Sequence, residues 1–223
     1  MVRGSKAFLT ALALFAGCSA AFAQEATIGA GKVEIGGFPG GGTFFIAGDK
    51  NLEPDWSVYT AGGDLTYYIN PKAAVEGEFT GSIGWAQDVF YKNTKVIHSQ
   101  MPGVWSYMGN VLVFPSGTAG KRVPYYITGG AGLLSLQPRI PDAQFGYGTG
   151  TQCPCPGWQT FVTEDVGAGI KIFRAADAPN WGFRIDYRML FINSKSSAPA
   201  FFAQSKSRRA HRVYIGMLYT WKR

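Results

Sequence analysis

Apolar and polar positions alternate with a period of two from Trp56 to Trp85, broken only at Asn70-Pro71-Lys72. Tyr59, Ala61, Gly63, Leu65, Tyr67 and Ile69 fall on one face of the first arm, opposite Thr60, Gly62, Asp64, Thr66 and Tyr68. Past the breaker, Ala73, Val75, Gly77, Phe79, Gly81, Ile83 and Trp85 oppose Ala74, Glu76, Glu78, Thr80 and Ser82. Alternation on both sides of a turn-forming triplet predicts a β-hairpin. Each arm is long enough to cross a hydrocarbon layer as a tilted strand, which takes about 9 to 11 residues. It is equally long enough for a soluble barrel or sandwich with one core face and one water face. Tyr59 and Trp85 at one end of the apolar face, and Tyr67 at the other, suit the aromatic girdles of a membrane band.

The same alternation recurs over residues 32–45, 104–114, 123–136, 159–173, 181–191 and 209–221, which makes eight strands in all. It is clearest where Trp181, Phe183, Ile185, Tyr187, Met189 and Phe191 alternate with Arg184, Asp186, Arg188 and Leu190. The first strand softens at Pro39-Gly40-Gly41-Gly42, which predicts sharp curvature. Short and long links alternate along the chain, the layout of an outer-membrane barrel with tight turns on one side and loops on the other. Residues 46–55, 86–103, 137–158 and 193–208 would then be extracellular loops. The predicted fold is an all-β, eight-stranded antiparallel up-and-down transmembrane β-barrel.

Charge sharpens the assignment of faces. The proposed outer face of the second, third, seventh and eighth strands is almost free of it, and a Lys or Arg there would cost about 2 to 4 kcal/mol at the bilayer midplane. The opposite face carries Glu34, Asp64, Glu76, Glu78, Asp165, Lys171, Arg184, Asp186, Arg188 and Arg212. Eight strands leave a lumen just wide enough for side chains to fill, so both signs together predict a polar network plugging the interior. A narrow porin-like channel lined by the same residues is the alternative.

Arg3 and Lys6, then an apolar run from Ala7 to Ala16, then Ala21-Phe22-Ala23, read as an export signal over residues 1–23, leaving 24–223 as the barrel domain. Phe15-Ala16-Gly17-Cys18 offers a competing lipobox-like cut before Cys18. The formal charge is +7 and falls by two once Arg3 and Lys6 leave. It is scattered through the chain rather than gathered into a tract of nucleic-acid type. Beyond residue 23 no apolar run is long enough for a membrane helix. Any insertion must therefore be as a closed barrel, because open sheet edges cannot be satisfied in lipid. Cys153 and Cys155 flank Pro154, and in an oxidising compartment they predict a small loop disulfide rather than a metal site.

Lys32-Val-Glu-Ile-Gly-Gly-Phe-Pro-Gly-Gly41, the hairpin Gly62 to Phe79, Gly109-Asn-Val-Leu-Val-Phe114 and the final strand together resemble outer-membrane β-barrels of the OmpA-like and opacity-type families. The likeness spans residues 31 to 223. Tyr214-x-Gly216-x-x-Tyr219-x-Trp221 is similar to the terminal signal by which the barrel-assembly machinery recognises its clients, although Lys222 and Arg223 follow the aromatic. The resemblance implies a protein of the outer membrane without enzymatic activity or cofactor, acting in envelope structure, adhesion or surface interaction. Its implied partners are outer-membrane lipid, lipopolysaccharide, the assembly machinery and an unspecified surface ligand.

Some eight-stranded barrels modify lipid A, and such a site needs a nucleophilic Ser beside an oriented His. The two histidines, His98 next to Ser99 and His211 between Ala210 and Arg212, show no His-x-Ser pattern on a strand. Glu76 and Glu78, two residues apart on one strand, read as lumen neighbours rather than an acid-base pair. The basic stretch Lys206, Arg208 and Arg209 is a candidate contact for lipopolysaccharide phosphates. A soluble lipocalin-like binder is the remaining alternative.

Overall fold

The computed structural model describes residues 29–46, 55–91, 94–137, 158–174, 181–193 and 208–221. The export signal, Cys153, Cys155 and Lys206 lie outside the described residues. Among the described residues there are ten strands: β1 Val33–Ile46, β2 Trp56–Asn70, β3 Ala73–Ile83, β4 Ala86–Tyr91, β5 Thr94–Gln100, β6 Gly103–Val113, β7 Tyr125–Gln137, β8 Gln159–Phe173, β9 Trp181–Ile192 and β10 Arg208–Trp221. Eight of them close into an antiparallel barrel in the order β1-β10-β9-β8-β7-β6-β3-β2. The other two, β4 and β5, pair only with each other.

That hairpin corrects the expected plain loop over residues 86–103. The third strand stops at Ile83 rather than running on to Trp85, because the chain turns at Gly84, where a Cβ would lie 2.0 Å from the Met101 carbonyl. Gln87 Nε2 donates to the Ser57 carbonyl at 2.8 Å and fastens the hairpin to the start of β2. The other boundaries fall within about two residues of those read from the pattern.

Following the register once around shows why the barrel closes. The row from Ile46 passes through Arg209, Phe191, Glu164, Ala131, Gly109, Gly77 and Leu65 and returns to β1 at Ile35. Strands staggered in this way are tilted to the axis, as closure of a sheet requires. The curvature expected at Pro39 to Gly42 is a bulge: three steps on β1, from Gly37 to Gly40, match two on β10. The extra residue flips the phase, so Glu34, Gly36 and Phe38 face inward below it and Thr43 and Phe45 above it. Gly41 has to lack a side chain, since a Cβ there would sit 2.5 Å from the Val213 carbonyl.

The β2–β3 turn is closed by Asn70 Oδ1, which accepts from the Lys72 amide at 2.7 Å. At this same end, which also carries Trp221, Phe114 N donates to the Lys72 carbonyl and Thr118 N to the Pro71 carbonyl, each at 2.8 Å. Positive φ at Gly117 and Gly120 turns the chain back toward β7.

Polarity is inverted relative to a soluble barrel. Leu65, Tyr67, Ile69, Phe79, Ile127, Val166, Phe183, Ile185, Ile215 and Met217 are exposed on the outer wall. Tyr67, Tyr125, Trp181, Tyr219 and Trp221 ring the end near the turns, while Tyr59, Trp85, Trp105 and Trp158 stand toward the loop end. Charge is gathered inside.

Candidate functional site

The lumen has three layers. At the loop end, Phe45, Trp56, Val58, Met101, Val104, Leu134, Leu136, Phe161, Leu190, Ile192 and Ala210 pack into a buried apolar cluster. At the turn end, Tyr68, Ala74, Leu112, Phe114, Tyr126, Phe173 and Leu218 form a second. Between them lie all ten charged residues assigned to the interior from the sequence, each buried to 5% exposure or less.

Strand alternation delivers these side chains inward at every second residue: Glu76 and Glu78 from β3, Arg184, Asp186 and Arg188 from β9. Glu76 is the hub. Its Oε1 receives Arg188 Nη2 at 2.6 Å and Asn110 Nδ2 at 3.1 Å; its Oε2 receives Arg184 Nη1 at 2.5 Å. Arg184 also reaches Asp64 at 3.1 Å and Asp186 at 2.7 Å. Arg188 continues to Glu78 at 3.2 Å, and to Asp165 and Asp186 at 3.1 Å each. Arg212 closes the upper side on Glu78 at 3.0 Å, with Thr43 at 3.2 Å and Ser106 at 3.1 Å. Below, Lys171 meets Glu34 at 2.5 Å and the Tyr68 hydroxyl at 3.0 Å, with the rings of Tyr68, Phe114 and Tyr126 within 5.2 to 5.7 Å.

Three tyrosines complete the network, and of these only Tyr214 stands out in the sequence, there as part of the terminal motif and not as a lumen residue. Tyr68 donates to Glu34 at 2.9 Å, Tyr214 to Glu78 at 2.7 Å, and Tyr126 to Asp186. The signal was present, because each occupies an inward position of its strand's alternation. Phe38, brought inward by the phase of β1, stacks on Tyr214 at 4.1 Å.

The four residues of the terminal motif divide between faces. Tyr214 and Gly216 face the lumen, whereas Tyr219 and Trp221 face outward and touch edge-on at 5.4 Å. Arg208, grouped above with a surface basic stretch, is fully buried and faces the lumen, since it shares the phase of Arg212; Arg209 alone of the described pair is exposed.

Hydrolytic chemistry finds no support in the histidines. His98 Nδ1 lies 2.6 Å from Asp88 Oδ1 on the exposed β4–β5 hairpin. His211 Nδ1 lies 2.6 Å from the Tyr187 hydroxyl, and its register neighbours are Phe44 and Met189. Among the described residues no group of three His, Cys, Asp or Glu is arranged to hold a metal. One pocket, of about 580 Å³, lies on the outer wall, floored by Gly77, Gly109 and Ala131 and walled by Phe79 and Tyr107.

A closed eight-stranded sheet with an apolar outer band, two aromatic girdles and a buried, charged interior defines a transmembrane β-barrel. Its fold is that of the outer-membrane barrels. Neisserial surface protein A is similar with a TM-score of 0.52 at 14% identity, over 84% of this chain and 95% of that one. The N-terminal β-barrel domain of OprF from Pseudomonas aeruginosa aligns at 0.44 and 14% over 86% and 99% of the two chains. Ail of Yersinia pestis aligns at 0.43 and 16% over the same shares. No family model and no curated protein matches the chain.

Proposed function

We propose that this chain is a non-enzymatic integral protein of the outer membrane whose barrel is a sealed structural anchor and whose extracellular loops meet other surfaces. One observation carries the reading: the ten charged side chains of the lumen are each 5% exposed or less and lie between two packed apolar clusters. Ions held between two such layers stabilise a wall and cannot line a channel. The network of Glu34, Asp64, Glu76, Glu78, Asp165, Lys171, Arg184, Asp186, Arg188 and Arg212 is accordingly a structural fastening. Outward-facing Tyr219 and Trp221 are the part of the terminal motif that the barrel-assembly machinery can read. Lipopolysaccharide and a surface ligand are the partners of the loop end.

Planar-bilayer recording tests the sealed lumen. The reconstituted barrel, verified as folded by its heat-modifiable gel mobility, is expected to be silent; steady single-channel steps would instead establish the porin-like alternative. Membrane fractionation tests the location. Recovery in the soluble periplasmic fraction, with no mobility shift on boiling, would refute it.

A further inference from the structure

Among the described strand residues, the outer wall of the barrel presents acidic or basic side chains at three positions: Glu164 on β8, and Arg209 and His211 on β10. The outward positions of β1, β2, β3, β6, β7 and β9 carry none. The three residues flank a single strand, β9. Arg209 pairs in register with Phe191, and Phe191 with Glu164; one outward position further on, His211 pairs with Met189 and Met189 with Val166. Two interstrand steps, or about 10 Å, therefore separate the Cα atoms of Arg209 and Glu164. Both side chains are exposed, and neither has an ion-pair partner among the described residues. His211 is held by the Tyr187 hydroxyl.

Acidic and basic groups turned toward lipid are rare in a spanning segment and mark function. Here they form a self-complementary pattern, a cation on one side of β9 and an anion on the other. A two-fold axis parallel to the barrel axis and passing β9 brings β10 of one barrel against β8 of another. Each Arg209 then meets the other copy's Glu164, twice over, with Phe191 and Met189 packed at the axis. Arg209 stands nearer the rim than Glu164, and two long side chains span that offset. A lipid phosphate would suit Arg209 and His211 but would meet the carboxylate of Glu164 on the same face. A second copy uses both signs. We propose that the β8–β9–β10 face is the contact through which two copies of this chain associate side by side in the membrane. The proposal rests on the barrel being membrane-embedded.

The test uses the full chain in native membranes, with Cys153 and Cys155 replaced by Ser. Met189→Cys, at the axis, is expected to form an oxidant-induced dimer at least tenfold more than Val75→Cys on the opposite wall. In the Met189→Cys background, Glu164→Arg and Arg209→Glu should each reduce that dimer about tenfold. Co-expressing the two differently tagged variants should restore it as a mixed dimer, because each then supplies what the other lacks. An ion pair within one chain would be restored only by both changes in the same chain. Equal cross-linking from Met189→Cys and Val75→Cys overturns the proposal even if the charge variants do not fold. Failure of the mixed pair to recover, with both variants showing heat-modifiable mobility, overturns it as well. Phosphate-bearing lipid that co-purifies with wild type and is lost in Arg209→Glu, without any dimer, assigns the face to lipid instead. A chain absent from the membrane fraction counts against the embedded barrel itself.

Discussion

Glu76→Ala tests whether the interior network holds the barrel together. The substitution removes the acceptor of Arg184 at 2.5 Å, of Arg188 at 2.6 Å and of Asn110 at 3.1 Å, all at positions closed to water. Asp64 and Asp186 still face Arg184, and Glu78, Asp165 and Asp186 still face Arg188, so neither cation is left wholly alone. Breaking a buried pair by removing one partner costs about 3 to 5 kcal/mol, and the remaining carboxylates place Glu76→Ala toward the lower figure. With a urea dependence of about 2 kcal/mol per molar, a loss of about 3 kcal/mol moves the unfolding midpoint down by about 1.5 M. The assay is urea unfolding in detergent micelles, followed by tryptophan fluorescence and heat-modifiable mobility. Adding Arg188→Met to Glu76→Ala should deepen the loss, since Glu78, Asp165 and Asp186 then lose the cation that meets them at 3.2, 3.1 and 3.1 Å, but by less than the sum of the two single losses, because the Glu76–Arg188 pair is removed only once. A midpoint for Glu76→Ala within about 0.3 M of wild type would refute the reasoning, as would strict additivity of the two substitutions.

Lys171→Met strands Glu34 beside Tyr68 and should cost about 3 kcal/mol, largely recovered by adding Glu34→Gln; the same urea midpoints check both. Gly41→Ala drives a methyl group to 2.5 Å from the Val213 carbonyl and should destabilise by about 1 to 3 kcal/mol, whereas Gly77→Ala, with nothing within 4 Å of its Cβ, should unfold within about 0.5 kcal/mol of wild type. Trp221→Ala should slow appearance of the heat-modifiable form in cells while leaving refolding into micelles nearly unchanged; equal loss in both settings would make Trp221 a girdle anchor only.

How far these residues were legible in the sequence depends on how locally each is determined. The alternation of Trp181 to Phe191 fixes the faces of β9 with no knowledge of its neighbours, because side-chain direction in a strand reverses at every residue. The ten interior charges followed from that parity. Their partners did not, since parity says nothing of height around a staggered sheet: Arg184 lies on the same row as Lys171 and Gly216, yet reaches across the lumen to Glu76. Arg208 was grouped with Arg209 as surface charge because they are adjacent, although adjacency in a strand places them on opposite faces. The hairpin β4–β5 reads as a loop in the sequence, since arms of six and seven residues hold too little alternation to mark a strand. Tyr68, Tyr126 and Tyr214 faced inward in the pattern, but a phenol suits a girdle and a lumen equally, and only their carboxylate partners decide.

The hub has a consequence for how such a barrel comes to exist. Glu76 and Arg188 are 112 positions apart and sit on opposite walls, so no hairpin or half-sheet can bring them together. Until β1 meets β10, the acids and guanidinium groups of an open sheet must stay wet, which keeps an unfinished chain at the bilayer surface rather than within it. Closure exchanges that water for ion pairs in one concerted event. A strand slipped by one residue would turn its charges toward lipid and its girdle residues toward the lumen, and the exchange would fail. The interior thus acts as a check on register, enforced at the moment of insertion by the difference in charge solvation between water and hydrocarbon.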